Sequence, residues 1–149
     1  FKEANKIIFE ESKYGMFSTA SYFVVDTHNQ ILTFSNAGHN SQILYKQKNN
    51  DIDFLQAQGI PLGVNPDSTY EEKVIFYQKG DILVLYTDGI IDALNHEQEV
   101  FGEDNFFRLI KENAHLKADD LHQLIKLEVL KFISGTPLFD DFSLMVIHL

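Results

Sequence analysis

The feature of this sequence that most limits its possible folds is the uninterrupted apolar run Ile82–Tyr86 (ILVLY), which is followed by Thr87, Asp88 and Gly89. The run is far too short to cross a bilayer, and it is typical of a strand that is buried on both faces. It therefore predicts a strand in the middle of a sheet. Gly89 allows a sharp turn at the end of this strand, beside the carboxylate of Asp88.

Other segments predict further strands and helices around this one. Aromatic and β-branched residues flank a polar turn in two places, which predicts one hairpin from Met16–Asp26 and Ile31–Ala37 and a second from Glu71–Tyr77 and Asp81–Tyr86. The remaining predicted strands are Gln42–Lys46, Asp53–Gln56 and Phe142–Leu149, and the predicted helices are one at the start of the chain, Asn105–Glu112 and Asp119–Ile133. This order indicates an α+β fold, a layered α-β-β-α sandwich with mainly antiparallel sheets.

The composition excludes several classes of function. The chain has 12 Lys and Arg against 22 Asp and Glu, a net charge of −10, which argues against nucleic acid or an anionic membrane surface as partner. It contains no cysteine, which excludes disulfide scaffolds, thiolate zinc sites and cysteine nucleophiles. The sequence shows no signal peptide. We therefore expect a cytoplasmic protein without direct membrane insertion, whose longer parent is free to carry a membrane or sensor domain.

Acidic residues stand at the ends of two predicted strands. Asp88 follows the buried run after Thr87, and Asp140 and Asp141 immediately precede the last strand. Carboxylates at neighbouring strand ends repel one another unless a proton or a cation lies between them, and Mg²⁺ or Mn²⁺ satisfies that demand. Two such ions can activate a water for attack on a phosphate. The residues alone leave open a simpler alternative, in which Asp88 caps a following helix and Asp140 forms a turn.

His39 is a further candidate, since it lies between Gly38 and Asn40 where a strand is interrupted. Its ring could line a site and contact phosphate, or it could serve only the geometry of the turn by bonding to the backbone of a neighbouring loop. The loop Gly59–Gly63 is too short for a nucleotide-binding phosphate loop and lacks its lysine, so we expect a turn between strands. The other histidines have no spacing that suggests a metal site.

Five segments occur in the order of a known set of motifs. They are Met16–Ala20 (MFSTA), Ser35–Asn40 (SNAGHN), Ile60–Val64 (IPLGV), Gly80–Gly89 (GDILVLYTDG) and Asp140–Leu144 (DDFSL). With these motifs the chain resembles the metal-dependent serine/threonine protein phosphatases of the type 2C (PPM) superfamily. The match is best with the bacterial branch of sporulation and stress-response regulators, the SpoIIE-like and RsbU-like proteins.

This resemblance implies a function and a set of site residues. It implies Asp88 and Asp140 as metal ligands, with Gly89 as a further candidate and Asp141 as the adjacent supporting residue. It implies two Mn²⁺ or Mg²⁺ ions that activate a water, so that no side chain is assigned as the catalytic group. The implied substrate is a phosphorylated regulator of the anti-anti-sigma type. A catalytically silent signalling or interaction module with the same fold is the alternative.

One motif of these phosphatases does not occur in the sequence. Their N-terminal part carries a D-x-x-G-H-G motif, and no segment here corresponds to it. We therefore expect residues 1–149 to form a single incomplete phosphatase domain that lacks the N-terminal strands, a helix and the first metal motif. Such a fragment would be inactive by itself. Apolar faces around Phe17–Val25 and Leu83–Leu85 would lie partly open, which favours a homodimer.

Overall fold

The computed structural model describes residues 1–12, 15–135 and 141–149, and it confirms the α+β class. The helices are α1 (Lys2–Glu11), α2 (Gly102–Asn113) and α3 (Ala118–Ile133). The strands are β1 (Ala20–Asp26), β2 (Ile31–Ala37), β3 (Gln42–Lys46), β4 (Asp51–Leu55), β5 (Glu72–Phe76), β6 (Ile82–Tyr86) and β7 (Leu144–His148). The pairs β1–β2, β2–β5, β3–β6 and β6–β7 are antiparallel, as expected.

The strands form two sheets, with the order β1-β2-β5 in one and β4-β3-β6-β7 in the other. The first predicted hairpin is confirmed, although β1 begins at Ala20 rather than at Met16. The second predicted hairpin is wrong, because β5 pairs with β2 and β6 lies between β3 and β7. The two strands also differ in burial pattern. β6 is apolar along its whole length and requires a neighbour on each side, whereas β5 alternates exposed and half-buried residues.

The chain divides into two compact units. Unit 1 comprises Phe1–Ser41 and Leu55–Tyr77, and it contains α1 and the three-stranded sheet. The register places the side chains of Val24, Thr33 and Val74 in one row across this sheet. The row belongs to a largely apolar outer face, on which the exposed side chains are Tyr22, Val24, Glu72, Val74 and Phe76. On the opposite face Leu32 and Phe34 are buried.

One buried polar side chain fixes α1 within unit 1. Asn5 is fully buried, and its Nδ2 donates to the carbonyl oxygen of Asn65 at 2.9 Å. Its Oδ1 accepts the backbone N–H of Gly63 at 2.9 Å. Because the amide of Asn5 satisfies backbone groups that would otherwise be buried without partners, it sets the position of α1 on the loop around Gly63.

Unit 2 comprises Gln42–Phe54 and Gln78–Leu149, and it contains the four-stranded sheet with α2 and α3. Its core joins apolar side chains of β3 and β6 to those of both helices. Phe106 of α2 is fully buried, with its ring centroid 4.8 Å from that of Tyr86. The predicted central position of β6 is confirmed. The expected open face around Leu83–Leu85 is wrong, because Leu83 and Val84 are completely buried and Leu85 is half-buried.

The helices bear on the expectation that the protein does not insert into a membrane. In the described ranges, none of them has both the length and the apolar character that a bilayer crossing requires.

Candidate functional site

The candidate metal site lies at one edge of the sheet in unit 2, where β6 ends and its neighbour β7 begins. Thr87 follows β6, and its backbone N–H donates to the carbonyl oxygen of Ser143 at 3.1 Å. The N–H of Ser143, which precedes β7, donates to the Thr87 side-chain hydroxyl at 2.8 Å. This reciprocal pair fixes the two strand ends to each other. Asp88 is the next residue after Thr87, and it is exposed.

The backbone after Asp88 turns without forming a helix. The N–H of Ile90 donates to the Thr87 carbonyl at 3.2 Å, and the N–H of Asp92 donates to the Asp88 carbonyl at 2.9 Å. The next helix, α2, begins only at Gly102. The alternative in which Asp88 caps a following helix is therefore wrong. The bonds of this turn are made by backbone groups.

Gly89 is required for the close approach of the two acidic segments. A Cβ at this position would lie 2.6 Å from the carbonyl oxygen of Asp141 and 3.3 Å from the Cβ of Phe142. Any other residue would push these segments apart. The structure therefore brings Asp88 and Asp141 to one end of the sheet, and both side chains are exposed there. Asp140, the second predicted ligand, lies outside the described residues.

The oxygen atoms at this sheet end are of the kind that binds a hard divalent cation. Carboxylate oxygens are the ligands that Mg²⁺ and Mn²⁺ prefer, and two carboxylates lie at this sheet end, Asp88 on the turn after β6 and Asp141 before β7. Within residues 1–12, 15–135 and 141–149, no group of three or more His, Cys, Asp or Glu side chains converges as a metal site would require. The described carboxylates thus fit as part of a coordination shell that needs further ligands.

The second candidate, His39, lies in unit 1 on a turn that Asn36 holds in place. The Asn36 Oδ1 accepts the backbone N–H of His39 at 2.8 Å, and its Nδ2 donates to the His39 carbonyl at 2.9 Å. The ring Nδ1 of His39 lies 3.0 Å from the hydroxyl of Thr19. The hydroxyl of Thr19 therefore orients the ring. The side chain of Asn36 holds the geometry of the turn.

Two glycines lock the His39 turn against the loop Gly59–Gly63. A Cβ on Gly38, whose φ is +68°, would lie 2.5 Å from the ring of Pro61. A Cβ on Gly59 would collide with the carbonyl oxygen of Asn36. The loop is thus more than a plain turn, since it forms a wall that the SNAGHN motif packs against.

Sequence reasoning missed one buried carboxylate in the GDILVLYTDG motif. Asp81 is 1% exposed, and it accepts hydrogen bonds from Lys46 Nζ at 2.8 Å, from the N–H of Gln78 at 2.9 Å and from the N–H of Gln47 at 3.1 Å. It anchors the turn that leads into β6, so its role is structural. The sequence signal for this role is the Gly80-Asp81 pair directly before the buried run. Such a pair marks a turn, and the backbone N–H groups of a buried turn need an acceptor.

Comparisons with known proteins point to one family. The family model described as Stage II sporulation protein E (SpoIIE) matches residues 1–149. The chain is 29% identical over 147 residues to the phosphoserine phosphatase RsbU of Bacillus subtilis (strain 168), a match that covers 99% of this chain and 43% of that protein. The chain thus spans less than half the length of this relative.

Solved structures show the same fold. The SiaA-PP2C domain of Pseudomonas aeruginosa aligns with a TM-score of 0.75 at 18% identity, over 88% of this chain and 51% of that one. The manganese-presoaked phosphatase domain of the cell fate determinant SpoIIE from Bacillus subtilis aligns with a TM-score of 0.70 at 20% identity, over 99% of this chain and 63% of that one.

Proposed function

The chain belongs to the stage II sporulation protein E (SpoIIE) family, and from this membership we propose that it supplies part of the metal site of a protein serine/threonine phosphatase. The observation that carries the proposal is the meeting of Asp88 and Asp141 at adjoining ends of β6 and β7. The name of the relative RsbU, a phosphoserine phosphatase, supports phosphoserine as the substrate group. We propose a phosphorylated regulator of the anti-anti-sigma type as the protein that carries it.

The residues at the sheet end have separate roles in this proposal. Asp88 and Asp140 act as ligands of Mn²⁺ or Mg²⁺, two ions in the complete domain, and the backbone of Gly89 is a further candidate ligand. Asp141 supports them, since its carbonyl oxygen lies against Gly89 and so holds the segment after β6 in place. The manganese treatment of the SpoIIE phosphatase domain supports the choice of metal.

The chemistry follows from charge and from the rigidity of the turn. When bound, the divalent cations supply Lewis acidity and an activated water for attack on phosphorus, so no covalent phosphoenzyme is needed. The exposed carboxylate of Asp88 stands on a turn closed by backbone hydrogen bonds, so the ligand is positioned before the cation arrives. The proposal assigns no covalent phosphoryl intermediate to a side chain, which is consistent with a chain without cysteine.

The test compares acidic residues of this region in the natural protein. Asp88→Ala and Asp140→Ala are each expected to lower phosphate release from a phosphoserine peptide with Mn²⁺ by about 100-fold or more, because a hard cation has few protein oxygens to share. Asp141→Asn should retain more activity and more Mn²⁺ affinity, measured by calorimetry. Asp92→Asn, an exposed change one turn further on, is the control and should retain both.

Two outcomes would contradict the assignment. If Asp141→Asn proved as damaging as Asp140→Asn, with circular dichroism showing both variants folded, the ligand and its supporting neighbour would be exchanged. If the unaltered protein bound Mn²⁺ at this site but released no phosphate from any phosphoserine substrate, the silent signalling module would be the better description.

We propose further that two copies of this chain associate through unit 1. On its outer face Tyr22 is 62% exposed and Phe76 is 74% exposed. In the part of the chain that the structure describes, β1 is an edge strand of the sheet. Asp26, at its end, is the single charged residue of β1, so antiparallel pairing of two β1 strands would place no like charges opposite each other. In a chain of net charge −10, this supports contact through β1 rather than through the acidic surface elsewhere.

A further inference from the structure

The side chain of Thr87 continues the pairing of two strands of unit 2 beyond their last paired residues. The antiparallel pairing of β6 with β7 reaches Tyr86 and Leu144, and Thr87 and Ser143 follow as the next two opposite residues. The Thr87 N–H donates to the Ser143 carbonyl at 3.1 Å, which is one of the two bonds that a continued ladder would make here. The second bond would join the Ser143 N–H to the Thr87 carbonyl.

The hydroxyl of Thr87 takes the place of its own carbonyl in that second bond. The Thr87 carbonyl accepts the N–H of Ile90 at 3.2 Å, inside the turn that follows β6. The Ser143 N–H donates to the Thr87 hydroxyl at 2.8 Å instead. Thr87 can therefore close the turn and hold the neighbouring strand at the same time. Because a β-branched side chain has few rotamers, the hydroxyl is also restricted in direction.

The backbone at Asp88 is thus fixed from both sides to the segment that leads into β7. On one side, Thr87 is bonded to Ser143 through its N–H and its hydroxyl. On the other side, Gly89 lies so close to Asp141 that a Cβ would stand 2.6 Å from the Asp141 carbonyl oxygen. Loss of the Thr87 hydroxyl would release one of these attachments and leave the backbone at Asp88 free to shift relative to the residues before β7.

We propose that Thr87 is a positioning residue whose hydroxyl adapts the site of Asp88 to Mg²⁺ in preference to Ca²⁺. The inference rests on the proposed function, in which Asp88 is a metal ligand. Mg²⁺ demands a near-octahedral arrangement of oxygens, whereas Ca²⁺ accepts a flexible one. A ligand on a backbone held from both sides meets the stricter demand, because it cannot relax toward the larger ion. Groups that orient a ligand without touching the metal typically change metal affinity about 10–100-fold.

The test measures the dissociation constants of Mg²⁺ and of Ca²⁺ by calorimetry, in the natural protein without substrate. Thr87→Val keeps the shape of the side chain and removes the hydroxyl, and it should weaken Mg²⁺ binding about tenfold. Ca²⁺ binding should weaken by a smaller factor, so the preference for Mg²⁺ falls. Because Ser143 is exposed, water can satisfy its N–H in this variant, and we expect the fold to be retained. Thr87→Ser restores the hydroxyl and should bind both cations as the natural protein does.

Tyr45→Phe is the matched control for the loss of one side-chain hydrogen bond in unit 2. The Tyr45 hydroxyl donates to Oδ1 of Asn50 at 3.2 Å, and Tyr45 pairs with Ile82, at the end of β6 opposite to Thr87. Urea denaturation shows whether Tyr45→Phe and Thr87→Val lose similar stability. Tyr45→Phe should leave both dissociation constants unchanged.

Three results would overturn the inference while leaving the metal site in place. They are unchanged Mg²⁺ binding in Thr87→Val, an equal loss of Mg²⁺ and Ca²⁺ binding in that variant, and a loss in Thr87→Ser as large as in Thr87→Val. A natural protein that binds neither cation would overturn the inference together with the proposed metal site. If the expected pattern is found but no phosphate is released from any phosphoserine substrate, the role of Thr87 is supported and the phosphatase function alone fails.

Discussion

The two units of this chain bury their apolar side chains in different ways. In unit 2, α2 and α3 supply Phe106, Ile110 and Ile125 to a closed core with the four-stranded sheet. In unit 1, the outer face of the three-stranded sheet keeps large apolar side chains exposed, among them Tyr22 and Phe76. The difference teaches that unit 2 carries its own hydrophobic stabilisation, whereas the outer face of unit 1 leaves large apolar side chains exposed to solvent.

The largest expected effect tests this contrast with the same substitution in both units. Phe106→Ala, at a fully buried position, should lower the free energy of unfolding by about 3–5 kcal/mol, because it leaves a cavity against Tyr86. Phe76→Ala, at a position 74% exposed, should change it by about 0.5 kcal/mol or less. Urea denaturation followed by circular dichroism measures both.

The result for Phe76→Ala depends on protein concentration if the chain dimerises, so both denaturation series are run at low micromolar concentration. Equal losses for the two variants would show that the outer face of unit 1 is as well packed as the core of unit 2, and the contrast between the units would be lost.

Much of unit 2 could be predicted from the sequence, because its signals are local. The run Ile82–Tyr86 predicted a buried central strand, and helical spacing predicted α3 with its end at Ile133, as observed. The assignment of Asp88 and Gly89 to a strand end also came from the run that precedes them. Each of these signals lies within a few residues of the feature that it predicts.

The errors concern pairing over distance. The residues between Tyr77 and Ile82 carry no signal that the chain passes from one sheet to the other. The sequence therefore predicts β5 and β6 as a hairpin. A cavity beside His39 is lined in part by Lys73, which is distant from it in sequence and reaches it only through the pairing of β5 with β2. Such a juxtaposition depends on which strands pair, and the sequence of one strand does not identify its distant partner.

A smaller effect concerns association through unit 1. Val24→Lys places a charge on the exposed face of β1, and we expect it to raise the dimer dissociation constant at least about tenfold, since charged edge strands resist pairing. Val100→Lys makes the same change in unit 2, where Val100 is 58% exposed against 47% for Val24, and it should leave the constant unchanged. Sedimentation across a range of concentrations measures both.

A strictly monomeric unaltered chain at high micromolar concentration would disprove the pairing of two copies, and it would leave another segment or protein as the occupant of this face. A dimer whose dissociation constant both lysine variants changed equally would show that the association depends on net charge rather than on β1.

The smallest expected effect distinguishes how each unit holds an exposed carboxylate. In unit 1, the pKa of Asp26 is lowered by hydrogen bonds from the backbone and the side chain of Asn29, with a further one from the N–H of His28. In unit 2, the pKa of Asp51 is lowered first by the backbone N–H of Ile52 and then by its bond to Lys111 and the charge of that residue. Both carboxyls therefore stabilise the fold above their unfolded pKa, and this contribution is lost as the pH falls through the folded value.

The two causes respond differently to salt, and this separates them. Raising the ionic strength screens the charge of Lys111 but leaves the short hydrogen bonds of the Asp26 turn intact, so the pKa of Asp51 should rise more than that of Asp26. Lys111→Met should raise the pKa of Asp51 only in part, because the N–H of Ile52 still donates. NMR titration of the carboxyl carbons at low and high salt reports each site directly. If the pKa of Asp26 rose with salt as much as that of Asp51, long-range charge would hold both carboxylates, and the local turn of unit 1 would contribute nothing of its own.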